Sequence, residues 1–192
     1  MKSKKSVVIF PLLFSGILNC FCSCSSKASI RENRLTVYLA DSSKYRLLPP
    51  GDIEDSMDMA QHISAFWQGR DYFFNAWVKA DKTGIEMTLL NDLGVNMGEL
   101  SYRDGLVSFS SPVFPKSLKP EYIVADFQFC FYSASALSRA LENCGLFLEN
   151  AGNSRRILQG KTVVLEIEKE MNSVRLVNHL RGYAYTLEGA FK

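Results

Sequence analysis

The feature that most constrains the fold is a switch in the spacing of apolar residues, from short alternating segments to a helical period and back. Between residues 59 and 110, turn residues separate short apolar and aromatic segments, which is typical of an antiparallel sheet built from hairpins. The predicted strands are 59–68, 71–80, 85–91, 95–102 and 106–110. Asp104-Gly105 is the strongest hairpin signal, because a type I′ turn requires positive φ at both central positions.

Two helices are predicted after a proline-rich turn. Pro120 suits the first position of the first helix, whose apolar residues recur at helical spacing: Ile123, Phe127 and Cys130 or Phe131. The second helix is expected to have Ser133 as its N-cap and Gly145 at its C-terminal left-handed position, with an apolar face of Leu137, Leu141 and Cys144. Strands then resume at 155–159, 162–169, 173–178 and 183–188. The order of strands, helices and strands predicts an α+β fold.

The segment 72–78 has apolar residues on both of its faces. One face carries Tyr72, Phe74, Ala76 and Val78, and the other carries Phe73 and Trp77. A strongly curved sheet accounts for this pattern if its concave side packs on the helices or on a hydrophobic ligand and its convex side meets a partner or a membrane. The alternative is that Phe73 and Trp77 cover the sheet edge or pack under the N-terminal segment.

The first two dozen residues resemble the start of a bacterial lipoprotein. A basic start precedes an apolar run that is too short to span a bilayer core of roughly 30 Å and is typical of a signal peptide. A lipobox has a small residue directly before the lipidated cysteine and an apolar residue three positions before it. Cys24, preceded by Ser23, fits best. Cys20 is the alternative, because Ile17 suits the minus-three position although Asn19 directly precedes the cysteine. An ordinary cleaved secretory signal is a further alternative.

These features divide the chain into a signal peptide at 1–23, a lipidated tether at 24–34 and one domain at 35–192. Acyl chains on the cysteine would hold the domain on a membrane, since each buried methylene contributes about 0.8 kcal/mol. The resemblance implies the bacterial cell envelope, and Ser25 fits sorting to the outer membrane, facing the periplasm. Removal of 1–23 leaves 19 basic against 20 acidic residues, so no basic surplus indicates a nucleic-acid partner. A monomer is expected.

Patterns for catalysis or metal binding are missing from the sequence. It has no G-x-S-x-G, G-x-x-x-x-G-K-[ST], G-x-G-x-x-G or H-E-x-x-H motif. Its two histidines, His62 and His179, have no spacing that indicates a catalytic or metal site. We therefore predict a protein that is not an enzyme and has no cofactor or bound metal. Cys130 and Cys144 fall on apolar helix faces and are expected to be free, buried thiols, with a disulfide as the alternative.

Asp126 lies among apolar residues of the first predicted helix. A buried carboxylate is costly unless it is paired. Arg155 or Arg156 is the expected partner, in a structural ion pair that joins helix to sheet, and a contact with a ligand headgroup is the alternative. A separate cluster of acidic residues, at positions 52–58, has spacing too irregular for a calcium loop and is predicted to be a solvated face.

Six short motifs, in a fixed order, span most of the mature chain. They are Leu47-Leu48-Pro49-Pro50-Gly51, Asp126-Phe127-Gln128-Phe129, Leu137 with Leu141, Arg155-Arg156 before Gly160, the strand 163–167, and Gly182-Tyr183-Ala184-Tyr185-Thr186-Leu187. Together they resemble a bacterial lipoprotein family known as a domain of unknown function, often encoded beside genes for aryl-polyene or fatty-acid-like synthesis. That family is similar to the lipoprotein receptor LolB and the carrier LolA. The resemblance implies an open antiparallel half-barrel, strongly curved, with a helical lid inserted between strands.

The function implied by the resemblance is that of a lipid-anchored envelope protein that binds or shuttles acyl chains or lipidated cargo without chemistry. An aromatic-rich apolar surface is typical of such sites. The candidates for an apolar cavity are Trp67, Phe74, Leu89, Phe127, Phe131 and Leu165. The alternative is a structural or assembly lipoprotein that holds a protein partner and has no ligand cavity.

Overall fold

The structure, a computed structural model, describes residues 35–40 and 42–189. The predicted signal peptide, the tether and both lipidation candidates, Cys24 and Cys20, lie outside the described residues. The strands before the helices are β1 (Thr36–Tyr38), β2 (Lys44–Arg46), β3 (Met57–Trp67), β4 (Arg70–Asp81), β5 (Gly84–Leu90), β6 (Asn96–Arg103) and β7 (Leu106–Ser110). The helices are α1 (Pro120–Phe131) and α2 (Ala134–Glu142). The later strands are β8 (Phe147–Ala151), β9 (Ser154–Gln159), β10 (Thr162–Lys169), β11 (Ser173–Asn178) and β12 (Tyr183–Glu188).

Ten of these strands form one antiparallel sheet in the order β7-β6-β5-β4-β3-β12-β11-β10-β9-β8. The sheet is not closed, so β7 and β8 are its edges, and β1 and β2 form a separate ribbon. The nine predicted strands and both predicted helices are confirmed. β1, β2 and β8 were not predicted, because three residues are too few to establish a period and β8 exposes four of its five residues.

Two-residue turns join hairpins at positions where φ must be positive. Gln68 and Gly69 have φ values of 50° and 75° between β3 and β4, and Asp104 and Gly105 have values of 49° and 71° between β6 and β7. A type I′ turn requires two positive values. The predicted Asp104-Gly105 hairpin is therefore confirmed.

The antiparallel arrangement gives the sheet two distinct ends. We call the end with the β3–β4 turn the hairpin end, and the opposite end, with the β4–β5, β6–β7 and β10–β11 turns, the pocket end. α1 runs from one to the other. In its first turn, the Tyr122 hydroxyl accepts a hydrogen bond from Arg181 at the hairpin end, at 2.9 Å. Its last residue, Phe131, accepts from the backbone N–H of Glu54, just before β3 at the pocket end.

α1 is buried on every side in its second half, where residues 124–131 are all buried. A surface helix normally buries only a stripe. Here the sheet covers one side, and the β1–β2 ribbon covers another through Tyr45, whose ring lies 4.9 Å from that of Phe129. Neither helix of the described residues has the length and apolar character needed to cross a membrane.

β4 confirms that two apolar faces meet in one strand. Ala76, Val78 and Ala80 on the inner face are each 1% exposed, whereas Phe73 and Trp77 on the outer face are 61% and 51% exposed. β4 lies between β3 and β5, so the alternative that Phe73 and Trp77 cover a sheet edge is wrong. The outer face instead presents these rings to solvent.

Candidate functional site

A pocket of about 910 Å³ opens at the pocket end, where the last turn of α1 meets the inner faces of β3 and β11. Its apolar lining consists of Met57, Met59, Ala80, Phe131, Met171 and Val174. Around this lining stand five carboxylates and two amines, from Glu54, Asp55, Asp58, Asp81, Glu170, Lys79 and Lys169. We call it the methionine pocket. Because methionine is unbranched and flexible, this lining can adapt to apolar chains of varied shape.

The strand period explains why two methionines share this pocket. Met57 and Met59 are two residues apart in β3, so both side chains lie on the inner face. Their partners across the β3–β4 ladder are Ala80 and Val78. These small and medium side chains leave space above the strand that longer residues would fill. The pocket therefore follows from the pairing of long flexible side chains with short ones.

Lys169 places one amine beside the aromatic part of the lining. Its Nζ lies 5.9 Å from the centre of the Phe131 ring. Burial lowers the pKa of Lys169, and the nearby charge of Arg155 lowers it further. This ammonium group is thus partly stripped of water and close to an apolar surface, which suits contact with an oxygen of a bound molecule.

Arg155 closes the C-terminal end of α1 behind the pocket. Its side chain is buried, and Nη1 donates to the carbonyl oxygens of Phe129 at 3.0 Å, Cys130 at 3.3 Å and Tyr132 at 2.8 Å. Nη2 lies 3.3 Å from a carboxylate oxygen of Glu54. These carbonyls have no partner within the helix, and a cation there also interacts favourably with the helix dipole. Arg155 therefore fixes the end of α1 rather than a ligand.

Asp126 has a different partner. Its Oδ2 accepts a hydrogen bond from the Tyr183 hydroxyl at 2.8 Å, and that hydroxyl accepts one from Asn178 Nδ2 at 3.2 Å. Burial raises the pKa of Asp126 to about 7, although the Tyr183 hydrogen bond and the charge of Arg181 oppose the shift. The predicted ion pair between Asp126 and Arg155 is wrong, because the free carbonyls at the end of α1 hold the guanidinium and the carboxyl faces β12. Each side chain still joins helix to sheet.

The six predicted cavity residues are not brought together. Leu89, Phe127 and Leu165 are packed into the core, and the Phe127 ring packs at a tilt against Phe131 with 4.8 Å between ring centres. Phe74 packs on Phe114, and Trp67 is 46% exposed at the hairpin end. Of the six, Phe131 lines the methionine pocket.

Residues that sequence reasoning missed provide most of this pocket. The alternation of Met57 and Met59 was a usable signal, but the first predicted strand began at residue 59. Lys169 ended a correctly predicted strand, yet its position beside Phe131 depends on two segments far apart in the chain. No local pattern encodes such a contact.

The remaining titratable candidates lie apart from the pocket. His62 contacts Asn75 at 3.1 Å, and His179 lies 3.6 Å from Glu166. Among the described residues, no group of three or more His, Cys, Asp or Glu side chains is placed to hold a metal ion. Cys130 and Cys144 are free thiols as predicted, the first buried and the second partly exposed.

Comparison with known proteins gives one family. A family model described as a protein of unknown function (DUF3261) matches residues 58–189. The match begins within β3 and ends just after β12, so it includes nearly the whole ten-stranded sheet and both helices but not the β1–β2 ribbon. No curated protein matches the chain.

Proposed function

Because the chain belongs to DUF3261, a family of proteins of unknown function, we propose a function from its own architecture: a non-catalytic envelope protein that binds acyl chains or lipidated cargo. The methionine pocket is the observation that carries this proposal. Its volume of about 910 Å³ lies within the range of small-molecule sites, roughly 300–1,000 Å³. Its lining of three methionines and Phe131 suits an acyl chain better than a polar substrate.

The proposed architecture is an open, LolA/LolB-like half-barrel with the helices as its lid. α1 runs along the strands and packs against both β7 and β11, the first and seventh strands of the sheet. In a flat sheet six strand spacings separate these strands by about 29 Å. A helix is only about 10–12 Å wide with its side chains. Contact with both strands supports a sheet that curves around α1.

In this proposal the acyl chain enters only at one end of the half-barrel. α1 fills the middle of the concave side with Phe127 and Phe129, which are 5% and 1% exposed. Space remains where the helix ends at Phe131. The site is thus smaller than a cavity running the length of the sheet, and a longer chain would require α1 to shift.

Attachment to the membrane is proposed through an acylated N-terminal cysteine, Cys24 or else Cys20. Leu35, the first described residue, packs against Gly105 in the β6–β7 turn at the pocket end. A tether of residues 24–34 reaches at most about 35–40 Å. The tether would therefore hold the opening of the pocket close to the membrane that supplies acyl chains.

Native mass spectrometry of the purified full-length protein tests lipid binding. We expect co-purified lipid in the wild type and its loss in a double variant, Met57→Glu with Met171→Glu, because two carboxylates would enter the apolar lining. Met171 is 85% exposed, whereas Met57 is partly buried against the core, so urea denaturation must show that the double variant still folds before its lipid content is compared. Leu106→Glu is the matched control: Leu106 is 61% exposed at the same end but outside the pocket lining. Equal lipid occupancy in all three proteins would refute the proposed site.

The outer face favours a second candidate function, that of an assembly protein that holds a partner. Phe66, Phe73 and Trp77 are 47%, 61% and 51% exposed there, and large exposed apolar surfaces often mark interaction sites. This candidate requires no bound lipid. A wild-type protein free of lipid, together with loss of a partner on Phe73→Ser, would favour it over acyl-chain binding.

A further inference from the structure

A second pocket, of about 540 Å³, lies on the other side of the Pro50–Asp52 turn. It is formed by the β1–β2 ribbon, α2 and the β6–β7 turn. Its charged residues are three cations and one carboxylate, from Lys44, Arg46, Arg139 and Asp52. We call it the basic pocket. Its charge is opposite in sign to that of the methionine pocket, and no step of the proposed function uses it.

Local structure explains why the cations converge. Lys44 and Arg46 flank Tyr45 in β2, so the strand period places both on the face opposite the buried tyrosine. Arg139 lies in α2 between Leu137 and Leu141, which are fully buried, and its own side chain is exposed. The two cationic elements therefore face one another across the pocket.

The ribbon that carries two of these cations is firmly held. Gln128 of α1 is fully buried, and its Oε1 accepts from the Tyr45 hydroxyl and from the Leu48 backbone N–H, both at 3.0 Å. Its Nε2 donates to the Leu48 carbonyl at 2.7 Å. The Tyr102 hydroxyl donates to that same carbonyl at 2.8 Å. The pocket walls are thus positioned by a buried network rather than by surface side chains.

Apolar side chains adjoin the cations in the same pocket. Leu35, Leu47 and Leu48 contribute from the ribbon side, and Ala136 and Ala140 from α2. An anion bound between the cations would therefore have an aliphatic surface beside it. This combination suits the headgroup and first methylenes of an acidic amphiphile.

We propose that the basic pocket binds a phosphate group, preferably one that carries an alkyl chain. Two arginines and a lysine supply donors for phosphate oxygens, and the planar guanidinium matches phosphate geometry. The methionine pocket, with its excess of carboxylates, repels the same group. Phosphate-bearing ligands therefore bind on the ribbon side, whether or not the methionine pocket binds acyl chains.

Isothermal titration calorimetry of the full-length protein with three probes tests the proposal. The probes are inorganic phosphate, dodecyl phosphate and dodecyltrimethylammonium, and the two amphiphiles are used below their critical micelle concentrations. Dodecyl phosphate should bind more tightly than inorganic phosphate, and Arg139→Gln should weaken the binding of the phosphate probes but not that of dodecyltrimethylammonium. The substitution should weaken dodecyl phosphate binding about tenfold, which corresponds to about 1.4 kcal/mol, because the charged hydrogen bonds from the guanidinium to the phosphate are lost. Arg156→Gln is the control, since Arg156 lies on the outer face paired with Glu166 and should leave binding unchanged.

Three results decide the matter. Equal binding of inorganic and dodecyl phosphate, both weakened by Arg139→Gln, would support the phosphate site with free anion as its ligand. Equal weakening of dodecyltrimethylammonium and dodecyl phosphate binding by Arg139→Gln would overturn the proposal, as would unchanged dodecyl phosphate binding in Arg139→Gln. Loss of lipid from the methionine-pocket variant has no bearing on these outcomes, so the two proposals fail separately.

Discussion

The methionine pocket and the basic pocket open at the same end of the molecule yet differ in charge. The first has five carboxylates and two amines around a methionine lining, and the second has three cations and one carboxylate beside leucines. The segment 49–55 separates the two pockets. It contributes Asp52 to the basic pocket and Glu54 to the methionine pocket. This one short segment thus divides two chemical environments of opposite charge.

The dividing segment 49–55 is fixed to the end of α1. Ile53 pairs with Tyr132 as an isolated β-bridge, the N–H of Glu54 donates to the carbonyl of Phe131, and the N–H of Ser133 donates to that of Asp52. Changes that release the end of α1 should therefore affect both pockets. Changes on the ribbon side should affect only the basic pocket.

The largest effect is expected from Arg155→Met. The substitution removes the donor shared by three carbonyls at the end of α1 and leaves buried acceptors without partners, so the free energy of unfolding should fall by about 3–5 kcal/mol. Urea denaturation measures the loss. Both pockets should lose their ligands, because the segment 49–55 is no longer held by an ordered end of α1.

The neighbouring Arg156→Met provides the control for that experiment. Arg156 lies on the opposite face of β9, half exposed, and pairs with Glu166 at 2.8 Å. Surface pairs of this kind contribute about 0–1 kcal/mol. Comparable destabilisation by the two substitutions would show that the carbonyl contacts of Arg155 do not hold the helix end.

Gln128→Leu should separate the two pockets. It breaks the network between α1 and the ribbon at a cost of about 2–4 kcal/mol, because the Tyr45 hydroxyl and the partly buried N–H of Leu48 lose their acceptor, although the Leu48 carbonyl keeps the Tyr102 hydroxyl. Dodecyl phosphate binding should weaken while lipid occupancy of the methionine pocket is retained. Gln61→Leu is the control, because Nε2 of the buried Gln61 has no partner within the described residues and its loss should cost little. Equal weakening at both pockets would contradict their independence.

Sequence patterns were sufficient for the strands of the ten-stranded sheet except β8, because most of its hairpins are local and their turns have residues that tolerate positive φ, but the pairing of β3 with β12 was not predicted. They failed where structure depends on remote contacts. Asp126 and Arg155 were correctly judged to join helix to sheet, but their partners depend on which side of α1 meets which strand. Aromatic residues suggested a cavity, whereas Phe127 fills space and flexible methionines line it.

The basic pocket was also beyond reach of sequence patterns. Lys44 and Arg46 lie in a three-residue strand that was not predicted, and Arg139 is nearly a hundred positions away in a different element. No periodic signal relates them. The hydrogen-bond network around Gln128 that joins the ribbon to α1 could not be predicted either, since a buried glutamine in a helical pattern does not reveal its partners.

Asp126→Asn should have the smallest effect and should change neither pocket, because Asp126 lies in the core between them and the hairpin end. Tyr183, Tyr185 and Cys130 surround its carboxyl, and Arg181 lies nearby.

Burial raises the pKa of Asp126 from 3.8 to about 7, so the folded state retains a proton that the unfolded state releases. The stability that this proton provides is complete below pH 3.8 and is lost as the pH rises through 7. Between pH 5 and pH 8 the loss is about 2–3 kcal/mol. Asparagine retains an oxygen for the Tyr183 hydroxyl but does not titrate, so urea denaturation of the variant at these two pH values should give a difference smaller by that amount. Identical pH dependence in the two proteins would mean that Asp126 is ionised in the folded state, and altered dodecyl phosphate binding would mean that the core and the basic pocket are coupled.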